Sequence, residues 1–211
     1  MKEDGSGLAA AIASITLGQP ETFKKIVLQM KSVIPNLEQI RTIVVPRKLT
    51  TGREPTTKDD PDAIITFETL FDFEGAVGIP AYLVSEGTLL VLGLLTALMG
   101  RDRPDLILLD DLDRGLHPRA QREVVGLLRG ILDQNPELQI VATTHSPYLV
   151  DCLRPEEVRL TTLGDDGTVS CGSLVEHPEF EKWKDEMLPG EMWSLFGEKW
   201  VADLNKAPGA N

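Results

Sequence analysis

The sequence predicts an α/β fold in which a mostly parallel sheet is flanked by helices. Two observations support this prediction. Short apolar runs at residues 106–109 and 138–143 alternate with helical patterns at 87–99 and 118–133. Strands of continuous apolar character that alternate with helices are typical of a parallel sheet covered on both faces. The predicted class is therefore α/β, and a ligand of such a sheet would be expected at the carboxyl ends of the strands.

The elements before and after this alternation are expected to differ from it. Residues 1–80 should form a helical and arm segment with strands, leading into a lobe of residues 81–211. The first segment is predicted to hold, in order, helices at 8–15 and 21–33, a strand at 40–45, a loop at 46–62 and a strand at 64–73. The lobe is predicted to end in a short helix after Pro147, a hairpin of residues 158–163 and 168–174, and helices whose tryptophans pack in the core.

Composition narrows the class of protein. The chain has 211 residues, of which 42% are hydrophobic and 26% charged, with a net charge of −12 and two cysteines. It holds no apolar run of about 18 residues, the length a membrane span needs, and no secretory signal pattern. Two cysteines without CxxC spacing give little support for a disulfide framework or a zinc site. We expect a cytoplasmic protein without a membrane partner, and we expect little DNA contact from so acidic a chain.

The first segment with chemical potential is Leu106-Ile107-Leu108-Leu109-Asp110-Asp111. Two acids follow a buried strand, at the edge where parallel sheets bind ligands. Asp110 is placed to hold Mg²⁺ directly or through a water, and Asp111 to orient a water for attack on phosphorus. Acids at strand ends are equally often turn or capping residues, so this alternative stays open.

The second segment, Val141-Ala142-Thr143-Thr144-His145-Ser146-Pro147, is another strand that ends in polar residues. His145 could contact a γ-phosphate or the attacking water. The alternative is a histidine that only caps the next helix.

The third segment, Leu83-Val84-Ser85-Glu86-Gly87-Thr88, opens the long helix. The free N–H groups of a helix N-terminus attract phosphate, and Gly87 would let the backbone come close to it. An ordinary helix N-cap at Ser85 would produce the same pattern.

The order of these segments, together with Gly115-Leu116-His117-Pro118, resembles the head of ABC-type ATPases. In that family the order is signature motif, Walker B, D-loop and H-loop. The resemblance covers roughly residues 80–152 and implies that the α/β fold is the C-terminal lobe of a P-loop NTPase. It implies that Ser85, Glu86 and Gly87 contact the nucleotide of an opposite head in a head-to-tail homodimer, with ATP and Mg²⁺ as cofactors.

The same resemblance assigns the remaining roles. Asp110 matches the magnesium acid of Walker B, and Asp111 stands where the catalytic glutamate is usual. The D-loop match places His117 near the nucleotide, and His145 matches the switch histidine. Gly-Leu-His-Pro and Thr-His-Ser-Pro resemble the RecF-like and OLD-like heads of DNA repair and phage defence, and disfavour a transporter.

Two features depart from that family. The sequence contains no Gly-x-x-x-x-Gly-Lys-Ser/Thr loop, so we expect the Walker A lobe to be a partner and Met1 to mark a truncation or an unusual gene start. Aspartate at 111 is one methylene shorter than glutamate. The alternative function is therefore a degenerate lobe that serves as a dimerisation or regulatory scaffold. About 60 residues follow His145, too few for a complete TOPRIM nuclease, so a nuclease effector would be a separate chain.

Overall fold

A computed structural model describes residues 7–48, 63–101, 103–164 and 167–204. These residues form both helices and strands, which confirms the α/β class. None of the helices in these ranges has the length and apolar character that crossing a membrane requires. The chain divides into two compact units. The first comprises Met1–Leu108, Arg114–Leu116 and Leu127–Val141, and the second comprises Leu109–Asp113, His117–Gly126 and Ala142–Asn211.

Three helices supply much of the core of the first unit: α1 (Leu8–Gly18), α2 (Pro20–Val33) and α3 (Glu86–Met99). Proline at the first position of α2 fits there because that N–H has no partner within a helix. Along α3 nine of the 12 residues from 87 to 98 are buried, as expected of a helix that is apolar on all sides. The fully buried side chains of this core include Ile12, Ile26, Met30, Phe71, Leu92 and Leu95.

The sheet of the first unit is antiparallel, with the order β1 (Leu37–Lys48), β2 (Ala63–Phe73) and β3 (Ala76–Pro80). Only Glu74 and Gly75 connect β2 to β3, and so short a connection permits antiparallel pairing alone. Gly75 has φ of +78°, the left-handed conformation that tight hairpins need. The mostly parallel arrangement expected from the sequence is thus limited, among the described residues, to one strand pair.

Two details of this sheet differ from the prediction. Residues 46–48 belong to β1 and not to a loop, while the rest of the predicted loop, 49–62, lies outside the described residues. Strand β3 was not predicted, because Gly78 and Pro80 are residue types that normally interrupt strands. Asp72 holds β3 in place despite these residues. Its carboxylate accepts hydrogen bonds from the Gly78 N–H at 2.7 Å and from Arg41. The Arg41 guanidinium, followed by the Gly78 amide, lowers the pKa of Asp72.

The parallel pair consists of β4 (Leu106–Leu109) and β5 (Gln139–Ala142), with α4 (Pro118–Asp133) between them in the chain. The prediction of strands covered on both faces does not hold in the first unit. Ile107 is buried, but Leu106, Leu108 and Val141 are 50%, 72% and 57% exposed. The strands therefore carry an apolar face that the described residues of this unit leave open.

The second unit continues with α5 (Pro147–Val150), the hairpin of β6 (Arg159–Leu163) and β7 (Val169–Ser173), and the short helices α6 (Phe180–Trp183), α7 (Pro189–Phe196) and α8 (Trp200–Leu204). The hairpin and helices agree with the prediction. Their buried core is Val150, Val158, Leu160, Leu174, Phe180, Met192 and Val201, and all three tryptophans pack against it. His177 stacks on Phe196 at 4.4 Å between ring centroids, and burial lowers its pKa.

Candidate functional site

The two parallel strands bring their C-terminal loops side by side. In the first unit the Gln139 N–H donates to the Asp105 carbonyl at 2.7 Å. In the second unit the Thr143 N–H donates to the Leu109 carbonyl at 2.9 Å. Each donor lies the same number of residues after its acceptor, which is the signature of parallel strands. Asp110 and Asp111 therefore leave the sheet beside Thr143, Thr144 and His145.

Thr143 connects the two loops. Its hydroxyl donates to Asp110 Oδ1 at 2.6 Å and accepts from the Asp111 N–H at 2.9 Å. Its carbonyl accepts from the Leu112 N–H at 3.0 Å. One side chain thus orients the carboxylate of the first acid and fixes the backbone of the second.

Asp111 has φ of +51° and is the one non-glycine residue of the described chain with positive φ. This left-handed conformation costs an L-residue energy, although aspartate tolerates it better than most. Such conformations persist where the surrounding structure enforces them, and they cluster at functional sites. Here Thr143 accepts hydrogen bonds from the Asp111 N–H and the Leu112 N–H, one on each side of the Asp111 Cα, and these bonds hold the turn.

The side chains of Asp111 and His145 face each other at the open end of the strands. Asp111 Oδ1 lies 3.9 Å from His145 Nε2, beyond hydrogen-bond distance, and the histidine side chain is 86% exposed. Asp110 is exposed too. The structure therefore brings Asp110, Asp111 and His145 together within the second unit, with polar atoms available at the surface.

Asp113 holds the loop that carries His145. Its Oδ1 accepts from the Thr144 hydroxyl and, at 3.2 Å, from the His145 N–H. The Thr144 hydroxyl in turn accepts from the Ser146 N–H at 3.1 Å. Sequence reasoning missed Thr143, Thr144 and Asp113. The available signal was a pair of hydroxyl side chains at the end of a strand, opposite a third acid in the facing loop.

A buried hydrogen bond secures the end of this loop. Ser146 Oγ donates to Gln121 Oε1 on α4 at 2.6 Å, and both side chains are buried. Buried polar groups are stable only when they are paired. The Ser146 side chain therefore connects the start of α5 to α4 and fixes the C-terminal end of the loop that carries His145.

Ser85, Glu86 and Gly87 lie in the first unit, at the start of α3. Ser85 Oγ accepts from the Thr88 N–H at 3.2 Å, so Ser85 is the N-cap of the helix, as its alternative interpretation predicted. Glu86 pairs with Arg114 at 3.0 Å, with both side chains more than half exposed. The N-cap is therefore the role of Ser85 that the structure shows, and its contact with a nucleotide stays a prediction.

Gly87 packs directly on Gly115. A Cβ at Gly87 would lie 2.4 Å from the Gly115 carbonyl oxygen and 2.8 Å from a methyl of Leu116. Gly115 has φ of +67°, and a Cβ there would meet the Gly87 nitrogen at 2.8 Å. Both glycines are required for this backbone contact. A side chain at position 87 would therefore force the two backbone segments apart.

His117 precedes α4 in the second unit and is exposed. Its Nδ1 accepts from the Arg119 N–H at 3.3 Å, and its carbonyl accepts from the Gln121 N–H at 3.1 Å. Both contacts belong to the first turn of the helix. The ring thus caps α4, and its nucleotide role stays a prediction.

Comparison with known proteins places this arrangement in a family. Residues 19–151, more than half of the chain, match the family described as "AAA domain, putative AbiEii toxin, Type IV TA system". The chain belongs to this family. The recognition of an ABC-type, AAA-family ATPase region is confirmed.

A curated relative covers part of the same region. The chain is 39% identical over 97 residues to the Septu protein PtuA of Bacillus thuringiensis, a stretch equal to 45% of this chain and 24% of that protein. The match thus spans about a quarter of the relative's length.

Solved structures resemble the fold. An Smc head bound to the C-terminal winged-helix domain of ScpA aligns with a TM-score of 0.50 and 14% identity, over 76% of this chain and 44% of that one. An Smc head domain with an extended coiled coil, bound to the C-terminal domain of ScpA derived from Pyrococcus furiosus, aligns with a TM-score of 0.49 and 15% identity, over 78% of this chain and 38% of that one. At such identity the first likeness supports the fold alone, and it agrees with the α/β class.

Proposed function

We propose that this chain is the C-terminal part of an ATP-hydrolysing ABC-type head. The observation that carries the proposal is the Thr143 hydroxyl, which orients the Asp110 carboxylate while holding Asp111 in a left-handed turn opposite His145. If these acids were only turn residues, they would not need to share one hydroxyl partner. Asp111 would also not need a left-handed conformation that places its side chain opposite a histidine.

The acids present fit Mg²⁺ that is also bound by the phosphates of ATP. The candidate ligands are carboxylate oxygens, the hard donors that Mg²⁺ prefers, and Mg²⁺ in ATPases typically binds one or two carboxylates together with substrate phosphates and water. Asp110 would hold the ion, which would neutralise charge on the phosphates. The described residues contain no cluster of three or more metal-ligating side chains, so the phosphates and water would complete the coordination.

The other site residues then take separate roles. Asp111 would orient the attacking water, and His145 would stabilise charge that develops on the transferred phosphoryl group. Ser85, Glu86 and Gly87 would approach the phosphates bound by a second head, with His117 beside them, in a head-to-tail homodimer. The N-cap at Ser85 is compatible with this role, since free N–H groups at the start of α3 attract anions.

A lobe that carries the Walker A loop is the partner this proposal requires. The open apolar face of Leu106, Leu108 and Val141 supports it, because a parallel sheet is normally covered on both faces. The effector would be a separate DNA-processing or nuclease chain in phage defence. The family description, which names a toxin of a Type IV TA system, and the likeness to a Septu protein support a defence role.

The decisive experiment is Asp110→Asn in the complete head, with the Walker A lobe supplied. We expect loss of Mg²⁺-dependent ATP hydrolysis, measured as phosphate release, because the substitution removes the charge that would hold the ion. Asp105→Asn is the matched control, since Asp105 precedes β4 and Asp110 follows it. Full hydrolysis in Asp110→Asn, or equal loss in both variants, would disprove the proposal.

The isolated chain offers a simpler test. Without a Walker A loop it should bind ATP weakly or not at all in calorimetry with Mg²⁺. Submicromolar affinity of the 211-residue chain would contradict the assignment of phosphate binding to another lobe.

A second candidate function is a non-hydrolysing lobe that acts as a dimerisation or regulatory scaffold. The N-cap at Ser85 and the shorter acid at position 111 favour it. Asp111→Glu separates the two functions. In a hydrolysing head the longer side chain should maintain or raise turnover, whereas a scaffold should show no turnover with either residue.

A further inference from the structure

A basic pocket lies in the first unit at the C-terminal end of α3, whereas Gly87 lies at the N-terminal end of that helix. Its volume is about 460 Å³, within the range of small-ligand pockets. Its polar lining comes from α2, from the segment after α3 and from the segment after α4. These residues are Thr22, Lys25, Arg101, Arg103, Gln134 and Asn135.

The charge of this lining is unusual for the chain. The protein carries a net charge of −12, yet three cationic side chains and no carboxylate are among the described residues that line the pocket. Lys25 lies on α2, whereas Arg101 and Arg103 lie in the segment after α3, so the meeting of the lysine with the two arginines is a property of the tertiary structure. A concave surface of a single charge concentrates the electrostatic field and attracts counter-ions.

Only some of the hydrogen-bond donors of Arg103 have an acceptor among the described residues. One guanidinium nitrogen donates to the side-chain oxygen of Asn135, which is neutral. Its Nε is buried and meets no acceptor in the described part of the chain. An arginine has five N–H donors, and a charge withdrawn from water is normally matched by an acid. The described residues provide no acid for Arg103.

The partner of Arg103 is itself held in place. Asn135 Nδ2 donates to the Ile131 carbonyl at 2.6 Å, one turn back on α4. This bond assigns the Asn135 oxygen to Arg103 and orients the guanidinium. The arginine is therefore preorganised before any ligand arrives, which lowers the entropic cost of binding.

Lys25 and its neighbour Lys24 differ in their ion pairs. Lys24 forms an ion pair with Glu21 at 2.7 Å, and this contact is the largest cause of the lowered pKa of Glu21. Lys25 acts on Glu21 only weakly, through the electrostatic field, and within the described residues it has no ion pair of its own. Its ammonium group remains available to a ligand in the pocket.

We propose that this pocket binds a small phosphate-bearing anion, such as a diphosphate group. Guanidinium and ammonium groups are the side chains that recognise phosphate, and a compact pocket suits a small polyanion better than an extended polymer. The 14 residues of α3 separate this pocket from Gly87 by about 20 Å at a rise of about 1.5 Å per residue. The pocket is therefore additional to the nucleotide contacts proposed above and does not depend on them.

The experiment is a titration of the full chain with inorganic pyrophosphate, followed by calorimetry at low and at moderate salt. We expect saturable binding that weakens with salt. Lys25→Gln and Arg101→Gln should each lower the affinity about tenfold, the loss expected for one charge-assisted contact. Lys24→Gln is the matched control, since Lys24 lies beside Lys25 but does not line the pocket; it should bind as the parent does.

One further variant and one further ligand test how the pocket recognises phosphate. Arg103→Lys keeps the charge but loses the planar fork, and it should also weaken binding while the melting temperature shows that the unit is folded. Titration with a short single-stranded oligonucleotide tests whether the pocket binds the phosphates of a nucleic acid instead of a small anion. The proposal is overturned by an absence of pyrophosphate binding, by equal weakening in Lys24→Gln, or by binding of the oligonucleotide alone.

Discussion

The loops after β4 and β5 are held by hydrogen bonds between polar side chains, whereas the start of α3 is held by direct contact of two glycines. In the loops, Thr143 and Asp113 organise Asp110, Asp111 and His145 at an exposed surface. At the start of α3, Gly87 is buried and lies too close to Gly115 for any side chain. Both regions carry residues of the proposed ATPase motif, but their tolerance to substitution should differ.

The physical reason lies in what each substitution removes or adds. Loss of an exposed polar group returns its partners to water, so little free energy of unfolding is lost. Addition of an atom to a closed backbone contact forces the backbone apart. Function should therefore be separable from stability at the strand ends and inseparable from it at Gly87.

Gly87→Ala should produce the largest effect. The added Cβ would overlap the Gly115 carbonyl, and we expect a loss of about 3 kcal/mol in unfolding free energy, the upper part of the range for overpacking. Chemical denaturation followed by circular dichroism measures this. Gly130→Ala is the control in the same unit: it has open space around it in a helix, and alanine should stabilise it by up to about 1 kcal/mol. A fully stable Gly87→Ala variant would remove the basis of the comparison.

Thr143→Val should have an intermediate effect on stability and a larger one on function. Valine keeps the shape but loses both hydroxyl bonds, and we expect no more than about 1 kcal/mol of destabilisation, because both bonds are exposed and water can replace them. In the complete head, turnover should fall more than nucleotide affinity, because Asp110 and Asp111 lose their common orientation. Thr143→Ser, which retains the hydroxyl, should recover most of the turnover. Equal turnover in the valine and serine variants would show that the hydroxyl does not position the acids.

Ser85→Ala removes the N-cap of α3. We expect a loss of about 1 kcal/mol, the usual value for an N-cap. Sedimentation of the complete protein with ATP under non-hydrolysing conditions, together with a melting curve, distinguishes the two interpretations of this residue. Loss of ATP-dependent dimers supports a signature-motif role, whereas early melting with normal dimers leaves only the cap.

His145→Ala should change stability by less than about 0.5 kcal/mol, because the side chain is exposed and substitutions at such positions are nearly neutral. The melting temperature checks this directly. In the complete head the same variant should reduce turnover more than nucleotide affinity, measured by single-turnover hydrolysis and by equilibrium binding. A large loss of stability would mean that the loop depends on the ring and that the two regions are less different than the structure indicates.

The pH response should distinguish the two compact units themselves. Burial lowers the pKa of His177 in the second unit below its ordinary value of 6.5, so the stability this group contributes is present above that value and is lost as the pH falls through it. The pKa of Asp72 in the first unit is lowered from 3.8, so its contribution persists until the pH falls below that value. Peptide-resolved hydrogen exchange at pH 7.5 and 5.5 should show loss of protection in the second unit first. His177→Phe should remove that difference, and earlier loss in the first unit would contradict the assignment.

Much of the fold could be read from local patterns. The helices α2, α3 and α4, the strands β4 and β5 and the terminal hairpin agree with the prediction to within a few residues, because their apolar spacing and flanking residues are local signals. Strand β3 could not be predicted, since Gly78 and Pro80 belong to turns in isolation. It forms because β2 is already present to pair with it and Asp72 accepts the Gly78 amide.

The sequence by itself determined the family and the order of its motifs, because the residue types of Asp110, Asp111, His145 and Gly87 and their spacing are local properties. Tertiary structure alone decided what those residues contact. Thr143 became the link between two loops only when two strands distant in sequence paired in parallel. Gly115 became the reason for a glycine at position 87 only when the chain folded back onto α3. Hydrogen bonds and close contacts depend on positions in space, and the sequence fixes those positions only through the complete fold.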